Sequence, residues 1–138
     1  MNKSTIISIV LLAVLLTSCD QGAGTGRQAS LTSGSGTPEI LFTEYEHNFG
    51  QVKEGTKVSY LFHFENKGDG NLVIKSATTT CGCTVPSYSK KPIAPGKDGT
   101  LEVVFNTSGK HGMQTKTITV SSNAKVPVVI LKITADVL

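Results

Sequence analysis

The sequence predicts an all-β protein whose folded part is a β-sandwich, and three observations support this. The chain has 138 residues, which is enough for one domain. Apolar residues make up 38% and charged residues 17%, a balance typical of a folded chain rather than a disordered one or a coiled coil. After the N-terminal part, short runs rich in β-branched and aromatic residues alternate with Gly, Asn, Asp and Pro, and no helical period stands out.

The N-terminus has the pattern of a secretory signal. Lys3 precedes an apolar run over residues 6–16, which is shorter than the roughly 20 residues that a spanning helix needs. The following Leu16-Thr17-Ser18-Cys19 resembles the bacterial lipobox. That resemblance implies cleavage before Cys19 and attachment of acyl chains such as palmitate to this residue. The alternative is an ordinary signal peptide in which the cysteine is incidental.

Three segments follow from this pattern. Residues 1–18 are the lipoprotein signal peptide, residues 19–38 are the lipidated Cys and a flexible tether, and residues 39–138 are the β-sandwich domain. The tether is rich in Gly, Ser and Thr, and its r.m.s. reach is roughly 24 Å. We therefore expect a lipid-anchored protein of the bacterial cell envelope, placed at the outer membrane, with the membrane as a partner through Cys19.

The domain contains a series of predicted strands. In residues 57–65, Tyr60, Phe62 and Phe64 share one face, and in residues 100–105 Leu101 and Phe105 do the same. Pro86 and Pro92 are predicted to flank a loop. The remaining predicted strands cover residues 39–45, 71–80, 114–121 and 126–137. In the last of these, both faces of the strand are apolar.

About seven strands in this length fit an immunoglobulin-like sandwich, although a core Trp and an inter-sheet Cys pair are missing. The alternative is a small closed barrel. In the sandwich the third strand, 71–80, pairs antiparallel with the sixth, 114–121.

Several short motifs in the domain resemble those of a bacterial envelope family known as domain of unknown function 1573. The most specific are Cys81-Gly82-Cys83-Thr84 and the Pro95-Gly96 that precedes a strand. The resemblance spans nearly all of residues 45–134, and its motifs are residues 49–55, 62–68, 72–74, 80–86, 93–96, 104–107 and 116–123. The family is similar to the immunoglobulin-like domains grouped with major sperm protein and Hydin, which are interaction modules. The resemblance therefore implies a sandwich and supplies no activity.

We accordingly predict that the protein is not an enzyme and acts as a binding or scaffolding module for an envelope protein or glycan. The formal charge of +3 comes without a basic stripe, so nucleic acid is not expected as a partner. No catalytic serine triad, zinc-binding helix or phosphate-binding loop stands out. Exposed strand edges or loops are the expected interface.

Cys81-Gly82-Cys83 is the one motif that suggests redox or metal-binding chemistry. Residues i and i+2 of an extended chain point to the same side, so the two sulfurs start as neighbours. Three states are possible for the two cysteines. They could be structural, as unreactive thiols or a static disulfide; they could be a redox-active pair; or they could be a thiolate site for Cu(I). A bond across one glycine requires a bend in the chain.

The predicted pairing of the third and sixth strands adds two candidate ligands to this motif. It places Cys81 and Cys83 near His111 and Met113, and a Cys, Cys, His, Met set would suit copper. The alternative is that His111 and Met113 are simply residues of a hairpin tip. Thus a thiol redox protein and a copper-handling protein remain alternatives to the binding module, and no cofactor is expected otherwise.

Three other polar features are expected to be surface groups rather than ligands. They are His47, His63 and the pair Lys90 and Lys91.

Overall fold

The computed structural model describes residues 35–79 and 84–138, with the backbone alone for residues 84–86. Within these ranges the fold is all-β and consists of two four-stranded sheets. The strands are β1 (Ile40–Phe42), β2 (Glu46–Val52), β3 (Lys57–Asn66), β4 (Ile74–Thr79), β5 (Thr84–Tyr88), β6 (Asp98–Asn106), β7 (Gly112–Ser122) and β8 (Val128–Val137).

The strand order is β1-β3-β6-β5 in the first sheet and β2-β8-β7-β4 in the second. All pairs are antiparallel except β2 with β8, which is parallel. The two sheets are separate, so the described residues form a sandwich and not the closed barrel. The predicted antiparallel pairing of the third and sixth strands is confirmed, because β4 pairs with β7.

The core lies between the sheets and is built by strict alternation along the strands. The predicted apolar faces of β3 and β6 are confirmed by burial, and β7 and β8 also bury alternate side chains. Fully buried side chains from the first sheet are Phe62, Phe64, Leu101, Val103 and Phe105, and those from the second are Ile118, Val120, Leu131 and Ile133. Each such side chain, taken from water, stabilises the fold by about 1.5–3 kcal/mol before the entropy cost of ordering the chain.

Two strands were not predicted. The chain after residue 45 continues as β2, where Gly50 has φ +68° at an irregularity in the register between Asn48 and Gln51. This bulge interrupts the simple alternation, which is why the strand was missed. The prediction of a loop from Pro86 to Pro92 was wrong for its first residues, because Pro86 lies within β5 and pairs with Val103. Proline is tolerated there because β5 is an edge strand.

The sandwich has two ends, which the loops define. The entry end comprises residues 35–39 and the loops 67–73, 89–97 and 123–127. The far end comprises the loops 53–56 and 107–111 together with Leu138. Backbone hydrogen bonds link Lys125 N to Pro38 O at the entry end and Glu54 N to Leu138 O at the far end, at 2.9 and 3.0 Å. The chain therefore enters the described domain at one end, and its last residue lies at the other.

Candidate functional site

The buried polar residues of the domain hold its loops. Asn66 is fully buried at the end of β3 and donates from Nδ2 to the carbonyl oxygens of Gly70 and Ile93, at 2.7 and 2.9 Å. Its Oδ1 accepts from the backbone N–H of Gly68 and Glu39, at 3.1 and 3.3 Å. One side chain thus satisfies four backbone groups of the entry end, which explains why a buried amide is tolerated.

Thr107 satisfies backbone groups at the far end in the same way. Its hydroxyl lies 2.8 Å from Thr56 O and 3.0 Å from Lys53 O, and it accepts from Thr56 N at 2.8 Å. The side chain is completely buried. Asn66 and Thr107 belong to the motifs 62–68 and 104–107 of the family resemblance, so these motifs stabilise turns. Sequence reasoning missed this role, since a polar residue at a strand end is usually exposed.

The candidate metal ligands are only partly within the described residues. Cys81 and Cys83 lie outside them, and so does Cys19. His111 immediately precedes β7 and Met113 is its second residue, and both are exposed, with Met113 at 69%. The last described pair of the β4–β7 ladder is Thr79 with Ile118, and Met113 lies five residues from Ile118 toward the far end. The redox and copper alternatives therefore stay predictions.

The described residues contain no cluster of three or more His, Cys, Asp and Glu side chains placed to hold a metal ion. The same part of the chain contains no helix that is long and apolar enough to cross a membrane.

The two other histidines differ in environment. His63 is exposed on the outer face of the first sheet, as predicted. His47 is half-buried, so its expected surface position is only partly correct. Its ring stacks on Tyr60 with 3.5 Å between centroids and meets Phe49 edge-on at 4.8 Å. Because Tyr60 lies on β3 and His47 on β2, this contact joins the two sheets. Lys90 and Lys91 are exposed in a loop, as predicted.

An apolar row on the second sheet is the most prominent exposed feature. We define the apolar row as Val126, Val128 and Ile130, whose exposed fractions are 61%, 49% and 60%. Val128 and Ile130 project from the outer face of β8, and Val126 lies in the loop before it. Ser121 and Thr119 of β7 lie directly opposite Val128 and Ile130. A signal for this row was present in the sequence, since residues 126–137 are apolar on both faces.

The other half of β8 presents a polar outer face. Lys132 pairs with Glu46 of β2 at 2.9 Å, and both side chains are about half exposed. Thr134 and Asp136 continue that face toward the far end. The outer surface of this strand therefore changes from apolar near the entry end to charged and hydroxylated further along.

All four edge strands carry an interruption. β1 has three residues, β2 contains the bulge at Gly50, the register of β4 shifts between Ile74 and Ser76, and β5 contains Pro86. Short strands, bulges and prolines are the devices by which sheet edges resist the addition of a further strand. The geometry thus favours recognition through a sheet face over recognition through an edge.

Comparison with known proteins assigns the domain to a family. Residues 40–137 match the family model described as "Protein of unknown function (DUF1573)". The chain belongs to this family. The match covers all eight strands of the domain, in agreement with the resemblance seen in the sequence motifs. No curated protein matches the chain.

Solved structures share the fold of this DUF1573 domain. A protein of unknown function from Porphyromonas gingivalis W83 is similar with a TM-score of 0.65 and 20% identity, over 80% of this chain and 51% of that one. The VesB protease of Vibrio cholerae is similar with a TM-score of 0.58 and 19% identity, over 71% of this chain and 32% of that one.

The secreted serine protease VesC of the same organism is similar with a TM-score of 0.57 and 16% identity, over 72% of this chain and 23% of that one. The chain thus spans about half of the Porphyromonas protein and a third or less of either protease. At these identities the likeness is one of fold alone.

Proposed function

We propose that this protein is a non-catalytic binding module of the bacterial cell envelope, anchored to the membrane through acylated Cys19, which docks a protein partner on the apolar row. The lipobox-like Leu16-Thr17-Ser18-Cys19 supports the anchor. Several acyl chains hold a protein stably on a membrane, whereas a single chain binds only marginally.

The apolar row carries the proposal. Alternate residues of a strand lie about 6.7 Å apart on one face, so Val128 and Ile130 form a continuous strip with Val126 at its end. Val126 and Ile130 are 61% and 60% exposed and Val128 is 49% exposed, so about half or more of each side chain is left in contact with water in the monomer. Contiguous exposed apolar side chains rimmed by polar groups mark interaction sites. Here the rim consists of Ser121 and Thr119 on one side and the Lys132–Glu46 pair beyond.

A protein partner fits this surface better than a glycan does. Sugar rings are bound by stacking on aromatic rings together with many hydrogen bonds, and the row is aliphatic. A partner protein with an aliphatic surface would bury Ile130 at the centre of the interface. The hydroxyl groups of Ser121 and Thr119 at the rim would then form hydrogen bonds with polar groups of the partner.

Photo-crosslinking in living cells tests the interface. A photoreactive residue at position 130 should give a discrete crosslinked protein product on illumination, and Val128→Asp in the same chain should abolish it. Position 61 is the matched control, because Leu61 is 46% exposed on the outer face of the other sheet and should give no product. Equal products from both positions, or crosslinks to polysaccharide, would contradict the proposal.

A further inference from the structure

The N-terminal end of the described chain is fixed against one end of the sandwich. Ser35 forms a bridge with Gly70, and Thr37 N donates to Asp69 Oδ1 at 2.6 Å. Pro38 is buried, and its carbonyl accepts from Lys125 N at 2.9 Å. The chain that leads to Cys19 therefore leaves from the entry end, beside the loop that carries Val126.

The predicted tether between the anchor and this point is short. Cys19 and Ser35 are separated by 16 positions, for which a Gly/Ser/Thr-rich composition predicts a reach of roughly 20–24 Å. β8 runs from the entry end to the far end with ten residues, or about 33 Å, so this reach is shorter than the distance between the two ends of the domain. Acylation of Cys19 therefore raises the effective concentration of the entry end at the headgroups far above that of the far end.

The entry end has the chemistry that suits a headgroup region. Val126 is 61% exposed at its loop, between exposed Lys125 and Pro127. The other exposed lysines of this end are Lys67, Lys90, Lys91 and Lys97, and its acidic residues are Glu39 and Asp69. The adjoining strand ends add the charged residues Lys75, Glu65 and Asp98. Two of these acids are engaged, Glu65 by Lys67 at 2.6 Å and Asp69 by Thr37 N.

We propose that the entry end rests on the membrane surface, with Val126 inserted among the headgroups and the lysines around it against anionic phospholipid. This inference rests on the proposed anchor at Cys19 and adds an orientation to it. The strand β8 then rises from the membrane. Ile130 stands about 7 Å beyond Val128, the first residue of β8, at 3.3 Å per residue. In this orientation Val126 faces the lipid, and Val128 and Ile130 carry the contact with a protein partner near the same membrane.

Lysine footprinting of the full acylated protein tests this orientation. The protein is reconstituted in vesicles of phosphatidylethanolamine and phosphatidylglycerol, and an amine-acetylating reagent is applied. Lys125 and Lys97 should be modified at least about threefold more slowly than in detergent micelles. Lys53, Lys57 and Lys110 of the far end serve as internal controls and should react at unchanged rates.

Two substitutions separate insertion from mere proximity. Val126→Asp should remove most of the protection of Lys125, because a carboxylate does not enter the headgroup boundary next to anionic lipid. Leu138→Asp is the matched control, since Leu138 is 65% exposed at the far end, and should leave the footprint unchanged. Both side chains are exposed, so neither variant is expected to impair folding.

The outcomes distinguish this inference from the anchor itself. A protein that fails to float with the vesicles would show that Cys19 is not acylated, and both proposals of membrane attachment would fall. A protein that floats but shows uniform reactivity at its two ends would overturn the orientation alone. Protection of Lys125 only after addition of envelope proteins would assign the entry end to a protein partner instead, and would also overturn it.

Discussion

At the scale of single residues, two buried polar side chains organise the ends of the sandwich. Asn66 and Thr107 each lie where a strand ends, and each forms hydrogen bonds with backbone groups of the neighbouring loops. Buried backbone groups need partners, and a lost partner costs more than a typical hydrogen bond contributes. These residues therefore determine loop geometry rather than ligand binding.

Replacing Asn66 with Ala should destabilise the domain by about 2–4 kcal/mol, because Gly70 O and Ile93 O lose a donor in a buried site. Asn66→Asp should cost more, since a carboxylate would face the same two carbonyls. The measurement is urea unfolding. Asn106→Ala is the control, because Asn106 bonds only the exposed turn residue Ser108 and should cost under about 1 kcal/mol.

For Thr107, the isosteric Thr107→Val should cost about 1–3 kcal/mol, since it removes the hydroxyl and keeps the shape. Thr107→Ser keeps the hydroxyl and should recover most of the loss. Thermal unfolding of the two variants measures both changes in stability. If Thr107→Val were as stable as the parent, the hydrogen bonds to Thr56 and Lys53 would not support the far end.

At the scale of elements, the pairing of β3 with β6 depends on a small residue. Gly99 lies opposite Phe64 in the register, and a Cβ built on Gly99 would overlap the ring of Phe64 and approach Ile93 Cδ1 at 2.9 Å. Phe64 is itself 2% exposed and packs on Phe42 with 5.2 Å between centroids. The absence of a side chain at Gly99 therefore makes room for the aromatic core where β1, β3 and β6 meet.

Gly99→Ala should accordingly destabilise the domain by about 1–3 kcal/mol through overpacking. Thr100→Ala, one residue further along β6 and exposed, should change stability by less than about 0.5 kcal/mol. Chemical unfolding of both variants provides the comparison. Restored stability in the double variant Gly99→Ala with Phe64→Leu would confirm that the ring is the obstacle, and a further loss would argue against it.

At the scale of the whole molecule, the domain is asymmetric from end to end. The chain enters at one end beside Val126, and the outer face of β8 turns from apolar to polar toward the other. Such a layout gives the molecule a defined orientation if its N-terminus is held on a membrane. The mild formal charge of +3 leaves little long-range electrostatic steering, so the proposed membrane attachment rests on the predicted anchor rather than on net charge.

The anchor yields a direct prediction for the whole protein. Cys19→Ser should shift the protein from the membrane fraction to the soluble fraction of the envelope and remove the acyl mass from the mature chain. Intact-mass analysis together with membrane fractionation measures both. Retention of Cys19→Ser in the membrane fraction, or a wild-type mass that lacks acyl groups, would show that the cysteine is incidental.

Much of the fold could be predicted from the sequence, because alternation along a strand is a local property. The inward faces of β3 and β6 follow from the side-chain period of two, and the pairing of β4 with β7 follows from the sandwich topology. The inward face of β8 did not follow from the sequence, because both of its faces are apolar. β2 and β5 could not be predicted in this way, since a bulge at Gly50 and a proline at position 86 break the local pattern. Both are tolerated because their strands lie at sheet edges.

The sequence by itself determined the fold class and the family, and it predicts a lipid anchor at Cys19. These depend on short-range patterns of side-chain type. Only the tertiary structure decided that Asn66 and Thr107 are buried, that His47 stacks on Tyr60 across the two sheets, and that Val126 lies beside the point where the chain enters. The reason is physical: burial and neighbourhood depend on which strands pair and in which register, and that pairing joins residues far apart in the chain.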